Sequence, residues 1–173
     1  MNLATIKQQE DLKARLAPIV EKIRARENGA RYASASAAFD AFRSFFGAHG
    51  FTVHAHMPDI VTATYGEAAY RLEYDQQNHD MKLLRPGKPI VNVRFVGKGY
   101  KGPQVTINAV TPRDPNPVAE LTKQVAEAEA MLQGPTPTFW YYPSEVAHDR
   151  IVNNFGWRTY EHFSDLLSAL CDS

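Results

Sequence analysis

The reading of residues 51–96, FTVHAHMPDIVTATYGEAAYRLEYDQQNHDMKLLRPGKPIVNVRFV, decides the fold. In its first seven residues Phe51, Val53, Ala55 and Met57 alternate with Thr52, His54 and His56, the pattern of a half-buried strand. Ile60–Tyr65 and Ala68–Tyr74 flank Gly66-Glu67, a two-residue hairpin signal. The second of these strands sets Tyr70, Leu72 and Tyr74 on one face and Arg71 and Glu73 on the other. Asp75–Asn78 turns the chain into His79–Leu84, and Arg85-Pro86-Gly87-Lys88 turns it again. Ile90–Val96 then buries Val91, Val93 and Phe95 while Asn92 and Arg94 face away. After the loop Gly97–Gly102, Gln104–Val110 hides Val105, Ile107 and Ala109. Connections this short join only antiparallel neighbours. The expectation is a meander of about six strands, packed on one face and wet on the other.

Outward from the meander the apolar period lengthens to that of helices. Leu12, Leu16, Ile19 and Ile23 predict a helix from Leu3 to about Glu27, kinked near Ala17 by Pro18 and ended by Asn28-Gly29. A second helix, capped by Ser36, carries Phe39, Phe42 and Phe46 as core and stops at Gly47 and Gly50. On the far side Asn116, Pro117 and Gly134 bracket a helix with the stripe Val118, Leu121, Val125, Ala128 and Leu132. Phe139–Tyr142 reads as a short strand, Ser144 as the cap of a short helix through Asn153, and Thr159 as the cap of a last helix. The fold class is α+β in a single domain, 1–173. It has two N-terminal helices, the meander, and C-terminal helices packed on one sheet face.

The composition narrows the function. One cysteine in 173 residues excludes a disulfide scaffold and any multi-cysteine metal site. No stretch is apolar enough for a membrane span, and the start MNLATIKQQEDLK has no signal-peptide core, so a cytoplasmic protein with no membrane partner is expected. The net charge of zero hides segregation: residues 81–113 carry a net +7, whereas 1–80 carry −1 and 114–173 carry −6. Such a segment either attracts anions or neutralises an acidic face of the same fold.

Three functional classes follow from particular residues. The aromatic run Phe139, Trp140, Tyr141 and Tyr142, with Trp157, suits the core of a protein–protein interface, so a non-enzymatic protein acting on another protein ranks first. An adaptor, an inhibitor or a phage-type accessory protein all fit. The regular stripe of the first helix also offers self-association. Nucleic acid is the second class: Lys82, Arg85, Lys88, Arg94, Lys98 and Lys101 form a basic ribbon with Tyr100 available to stack on a base. The third is a metal-free phosphodiesterase or ribonuclease-like enzyme using His54, His56, Glu73 and Arg94 on the polar sheet face.

Other patterns carry less. His54-x-His56 has metal-ligand spacing, with Asp59, His79 or His49 as a third ligand, but two histidines on a polar strand face also describe plain solvent exposure. Glu145-x-x-His148 resembles half of a di-iron motif that needs a helical bundle. Gly97-Lys98-Gly99-Tyr100-Lys101-Gly102 matches G-x-G-x-x-G, but Pro103 and a strand follow it where a dinucleotide site needs a helix. It reads as a turn whose glycines supply positive φ. No cofactor is implied.

Overall fold

The computed structural model describes residues 3–103, 116–147 and 149–171. Its elements are α1 (Leu3–Ala48), β1 (Thr52–Met57), β2 (Ile60–Tyr65), β3 (Ala68–Asp75), β4 (Asp80–Leu84), β5 (Ile90–Val96), α2 (Pro117–Gln133), β6 (Trp140–Ala147), β7 (Arg150–Val152) and α3 (Phe163–Cys171). The seven strands form one sheet in the order β1-β2-β3-β4-β5-β6-β7, every pair antiparallel. The α+β class and the meander therefore stand. The strand expected over 104–110 lies outside the described residues. The chain divides into two compact units, Met1–Gly29 with Gln104–Pro137, and Ala30–Pro103 with Thr138–Ser173.

In the first unit the stripe Leu12, Leu16, Ile19 and Ile23 is half-buried, and Val125 and Ala128 of α2 are buried. Asn116 caps α2, its side-chain oxygen accepting from the Val118 and Ala119 amides at 3.1 and 3.3 Å. The other end of α2 is closed from α1. Arg26 donates to the carbonyls of Leu132, at 2.7 Å, and of Gly134. These last carbonyls have no partner inside their own helix, so the guanidinium replaces water there.

The two expected N-terminal helices are one helix of 46 residues. Pro18 sits inside it on the exposed side, where the carbonyl it leaves unpaired can meet water. Asn28 and Gly29 do not end it. A mid-helix glycine costs only about 1 kcal/mol against alanine, and Arg26 is anchored on α2 just before it. Ser36 is accordingly mid-helix and caps nothing. The true stop is Gly50, with φ 81°. The Phe51 amide bonds the Phe46 carbonyl at 3.0 Å and the Gly50 amide that of Gly47 at 3.1 Å, with the Phe51 and Phe46 rings 5.1 Å apart. That is a Schellman ending with its apolar contact.

In the second unit one sheet face is the core. Val61, Ala63, Leu72, Tyr74, Met81, Leu83, Val91, Val93 and Phe95 are buried on it, as the alternation predicts. Ala35, Ala38, Phe39, Phe42 and Phe46 of α1 and Phe163, Leu166, Leu167 and Leu170 of α3 share that cluster. Phe46 packs on Tyr70 with centroids 4.6 Å apart, and Tyr141 on Phe163 at 5.1 Å. Of the C-terminal helices expected on this face, α3 supplies the contact; α2 belongs to the other unit.

The segment after Tyr142 departs from expectation. Ser144 does not cap a helix: β6 runs on through it to Ala147 and turns at Asp149, φ 63°, into β7. Pro143 looks like a terminator but breaks no ladder. Tyr141 bonds Tyr160 with both its amide and its carbonyl, at 2.7 and 2.9 Å, on the side away from β5. Pro143 shares that orientation, and β7 pairs only from Glu145 onward, so the β7 ladder does not call on the missing N–H. The last helix begins at Phe163, because Tyr160 is held in the bridge to Tyr141.

Phe42 is fully buried between helix and sheet. Phe42→Ala is expected to cost about 3–5 kcal/mol, read as a lower urea midpoint with an unchanged slope.

Candidate functional site

The strand register separates the enzymatic candidates. His54 and His56 stand together on β1, ring centroids 6.3 Å apart and both exposed, with His56 Nε2 2.9 Å from Thr62 Oγ1. Glu73, two strands away on β3, is held by Arg71 at 2.6 Å. Arg94 lies on β5, four strand spacings from β1, or about 19 Å at roughly 4.8 Å per strand. These four residues do not share a cleft, so the structure does not assemble the expected acid–base set.

The proposed third metal ligands are also engaged. His49 Nδ1 meets the Phe45 carbonyl at 2.7 Å, His79 Nδ1 the Tyr74 hydroxyl at 3.1 Å, and Asp59 accepts from Gln76 at 2.8 Å. Among the described residues no group of three or more His, Cys, Asp or Glu side chains is placed to hold a metal ion. Glu145 sits on a strand, and His148 lies outside the described residues.

The aromatic run is divided by the sheet. Tyr141 points into the core, where burial pushes its hydroxyl up to about 12 and the Ser34 carbonyl accepts its proton at 2.7 Å. Phe139 is half-buried beneath the Arg31 guanidinium, 5.1 Å from its ring centre. Tyr142 faces the opposite way but is also buried. An interface built on all four rings is thereby lost. Trp157, 44% exposed, keeps an open surface.

The basic ribbon is divided too. Arg85, 5% exposed, pairs with Glu145 at 2.7 Å, and Asn154 donates to the other Glu145 oxygen at 2.6 Å. Burial raises the Glu145 carboxyl, but the hydrogen bonds from Asn154 and Arg85 and the Arg85 charge outweigh it and hold the group below its ordinary 4.5. Arg85 is thus a structural ion pair. Lys82 and Lys88 are exposed, Lys82 between Glu73 and Asn92 in the cross-strand register. Lys98 lies over the Trp140 ring, 5.9 Å from its centre, and Lys101 is exposed beyond it. Arg94 is exposed and makes no hydrogen bond or ion pair with a described residue.

What survives from both sets meets on the second face of the sheet. Arg94 and Tyr142 are cross-strand partners. With Tyr100, Ser144, Asn153 and Trp157 they line a cleft of about 500 Å³, whose far wall is Ile151 and Val152 of β7. Tyr142 and Trp157 lie parallel with centroids 5.8 Å apart, and Tyr100 meets Tyr142 edge-on at 5.1 Å. Asn153 donates to the Tyr142 hydroxyl at 2.7 Å. Burial and the neighbouring Tyr100 raise that hydroxyl against the opposing pull of Arg94, keeping the phenol neutral. Sequence alone offered Arg94, Tyr100, Tyr142 and Trp157 under two different headings; Asn153 and Ser144 carried no signal.

Trp157 is held there at a cost. Its backbone is left-handed, φ 61°, a conformation bulky residues avoid at about 1–3 kcal/mol. Gly102 explains how the indole is seated. A Cβ at that position would lie 2.6 Å from Trp157 Cε3, and its φ of 97° already requires glycine. The glycine loop thus serves a packing role, its Gly99 also turning left-handed with the Tyr100 amide bonding the Gly97 carbonyl at 3.2 Å.

Comparison with protein-family models, with curated proteins and with solved structures found no match to this chain.

Two outcomes are expected. Gly102→Ala displaces the indole, losing about 1–3 kcal/mol and shifting Trp157 emission in a Trp140→Phe background. Glu145 is depressed when folded, so its contribution is complete above 4.5 and is lost as pH falls through the lower folded value. Glu145→Gln should therefore flatten the acid limb of the stability profile while costing about 3–5 kcal/mol at neutral pH, because Arg85 stays buried and unpaired. Urea midpoints across pH test both parts.

Proposed function

We propose that the protein binds single-stranded nucleic acid in the cleft of Arg94, Tyr100, Tyr142 and Trp157, acting in the cytoplasm and without catalysis. The observation that carries this reading is an indole held in a strained backbone, 44% exposed, beside a guanidinium with no hydrogen bond or ion pair to a described residue. A base stacks on such a ring whatever its identity, and a nearby Arg adds phosphate attraction. Lys98 and Lys101 extend the positive rim along the glycine loop. The volume suits one planar group, since ligand sites run from about 300 to 1,000 Å³. Among the described residues no helix is long and apolar enough to cross a membrane.

A protein partner is the second reading. It rests on Ile151 and Val152, 55% and 41% exposed on edge strand β7, which wall the same cleft as Trp157. An edge strand with apolar exposure can accept an extended segment as a further strand.

Fluorescence anisotropy with mixed-sequence oligonucleotides at about 50 and 200 mM salt separates the two. Expected is binding that weakens with salt and falls about 5- to 100-fold in Trp157→Ala. Lys98→Ala with Lys101→Ala should lower the salt dependence. No binding at the lower salt, or binding indifferent to Trp157, overturns the nucleic-acid reading and leaves the β7 edge.

A further inference from the structure

The end of β1 breaks the alternation read from its sequence. Strict alternation sets Met57 on the core side with Val53 and Ala55, away from His54 and His56. The ladder to β2 instead shifts register between Ala55 and Met57: Ala55 pairs with Val61, but Met57 pairs with Ile60. Val61 and Ala63 are buried in the core, so Ile60 and Thr62 belong to the other face, and Met57 joins them there. His56 is the extra residue of this bulge. Its Nε2 lies 2.9 Å from Oγ1 of Thr62, the residue paired with His54. Bulges re-aim side chains in this way. His54, His56 and Met57 therefore share the polar face at a free edge of the sheet, all three exposed, Met57 at 66%.

The spacing of these groups suits one ion. An imidazole bound at about 2.0–2.1 Å holds its ring centre about 3.2 Å from the metal, so two rings on one ion lie at most about 6.4 Å apart, and about 5.5 Å in a trigonal site. The His54 and His56 ring centres are 6.3 Å apart. Rotation of two exposed side chains closes the remainder. Ile60 and Thr62, which face Met57 and His54, are two residues apart on β2, or about 6.8 Å. An imidazole and the unbranched methionine side chain span that gap from its two ends. The Thr62 hydroxyl can donate or accept, so it accepts from His56 Nε2–H when Nδ1 holds an ion, the outer bond that metal-bound histidines usually make.

The third ligand selects the ion. Among the described residues no third His, Cys, Asp or Glu joins the histidine pair. Glu73, opposite Ile60 on β3, is held by Arg71 at 2.6 Å. Ca²⁺ and Mg²⁺ need several oxygen ligands, which this edge does not assemble. Zn²⁺ takes imidazole, carboxylate or thiolate, and here only the two imidazoles answer. Imidazole also suits copper, and a thioether selects its lower oxidation state. We propose that His54, His56 and Met57 bind one copper(I) ion at the β1 edge. The site is separate from the cleft of Trp157 and does not depend on the reading given to that cleft.

The test is an NMR titration of the whole protein under nitrogen with copper(I), supplied as its acetonitrile complex, and separately with Zn²⁺. Expected are saturation at one copper(I) per chain, shifts of the Met57 methyl and of the His54 and His56 ring protons, and amide shifts confined to the β1–β2 hairpin. Competition against a chromogenic copper(I) chelator should place copper(I) at least about 100-fold tighter than Zn²⁺. Met57→Leu should weaken copper(I) about tenfold or more and leave Zn²⁺ unchanged, whereas the double variant His54→Ala, His56→Ala loses both ions. All three side chains are exposed, so amide spectra away from the hairpin are expected to match the parent. Several results overturn the site: no binding, Zn²⁺ bound as tightly as copper(I), shifts at Cys171 in place of Met57, or a Met57→Leu variant that holds copper(I) as the parent does. The wild-type titration places the ion even where a variant fails to fold. Oligonucleotide binding by Met57→Leu is expected to equal that of the parent, so the copper site and the cleft stand or fall on separate data.

Discussion

The sheet is fixed by the burial of one of its faces under the aromatic end of α1 and under α3. Strand side chains alternate strictly, so once Leu72, Met81, Val93 and Phe95 are committed to Phe42, Phe46, Leu166 and Leu170, every neighbouring residue is committed to the other side. A slip of one residue in β5 would drive Arg94 and Asn92 into the phenylalanines. The apolar face therefore sets the register, and the register puts Arg94 opposite Tyr142 on one side and Asp80 on the other. The polar chemistry is placed by the greasy side.

That dependence explains what could be read in advance. The alternation in 51–96 was legible because each strand carries its own period, and Gly66 and Pro86-Gly87 mark their turns locally: Gly66 and Gly87 both have positive φ. The α1 boundary was not: Asn28-Gly29 is a local stop signal, yet the helix runs through it to Ala48, where Ala35, Ala38, Phe39, Phe42 and Phe46 are buried. The sequence signal for β6 ends early, at Pro143, although the strand continues to Ala147. Whether a proline breaks a strand depends on which side its missing hydrogen faces, a fact about Tyr160 and β7.

The candidate site was half legible. Residue types suited to binding were visible, but their grouping was not: His54 and Arg94 read as neighbours on one wet face and lie strands apart, whereas Tyr100 and Trp157 are far apart in sequence and wall one cleft. Net charge misled in the same way. Of the basic segment, Arg85 is consumed by Glu145 and Lys98 leans on Trp140, while Arg94 is left to line the cleft. A run of positive charge describes a chain; the field at a site is set by which charges are left after pairing.

Pro143 has a wider effect than its tolerated place in β6. A strand edge with regular donors invites its neighbour to continue alongside it. Here the edge lacks a donor at one residue, and β7 stops at Val152, opposite Glu145. The chain that would have gone on zipping along the edge instead peels away through Asn153 and Gly156, and comes back with Trp157 laid parallel to Tyr142. The cleft lies where the β7 ladder ends, beside the one residue of β6 that has no hydrogen to donate.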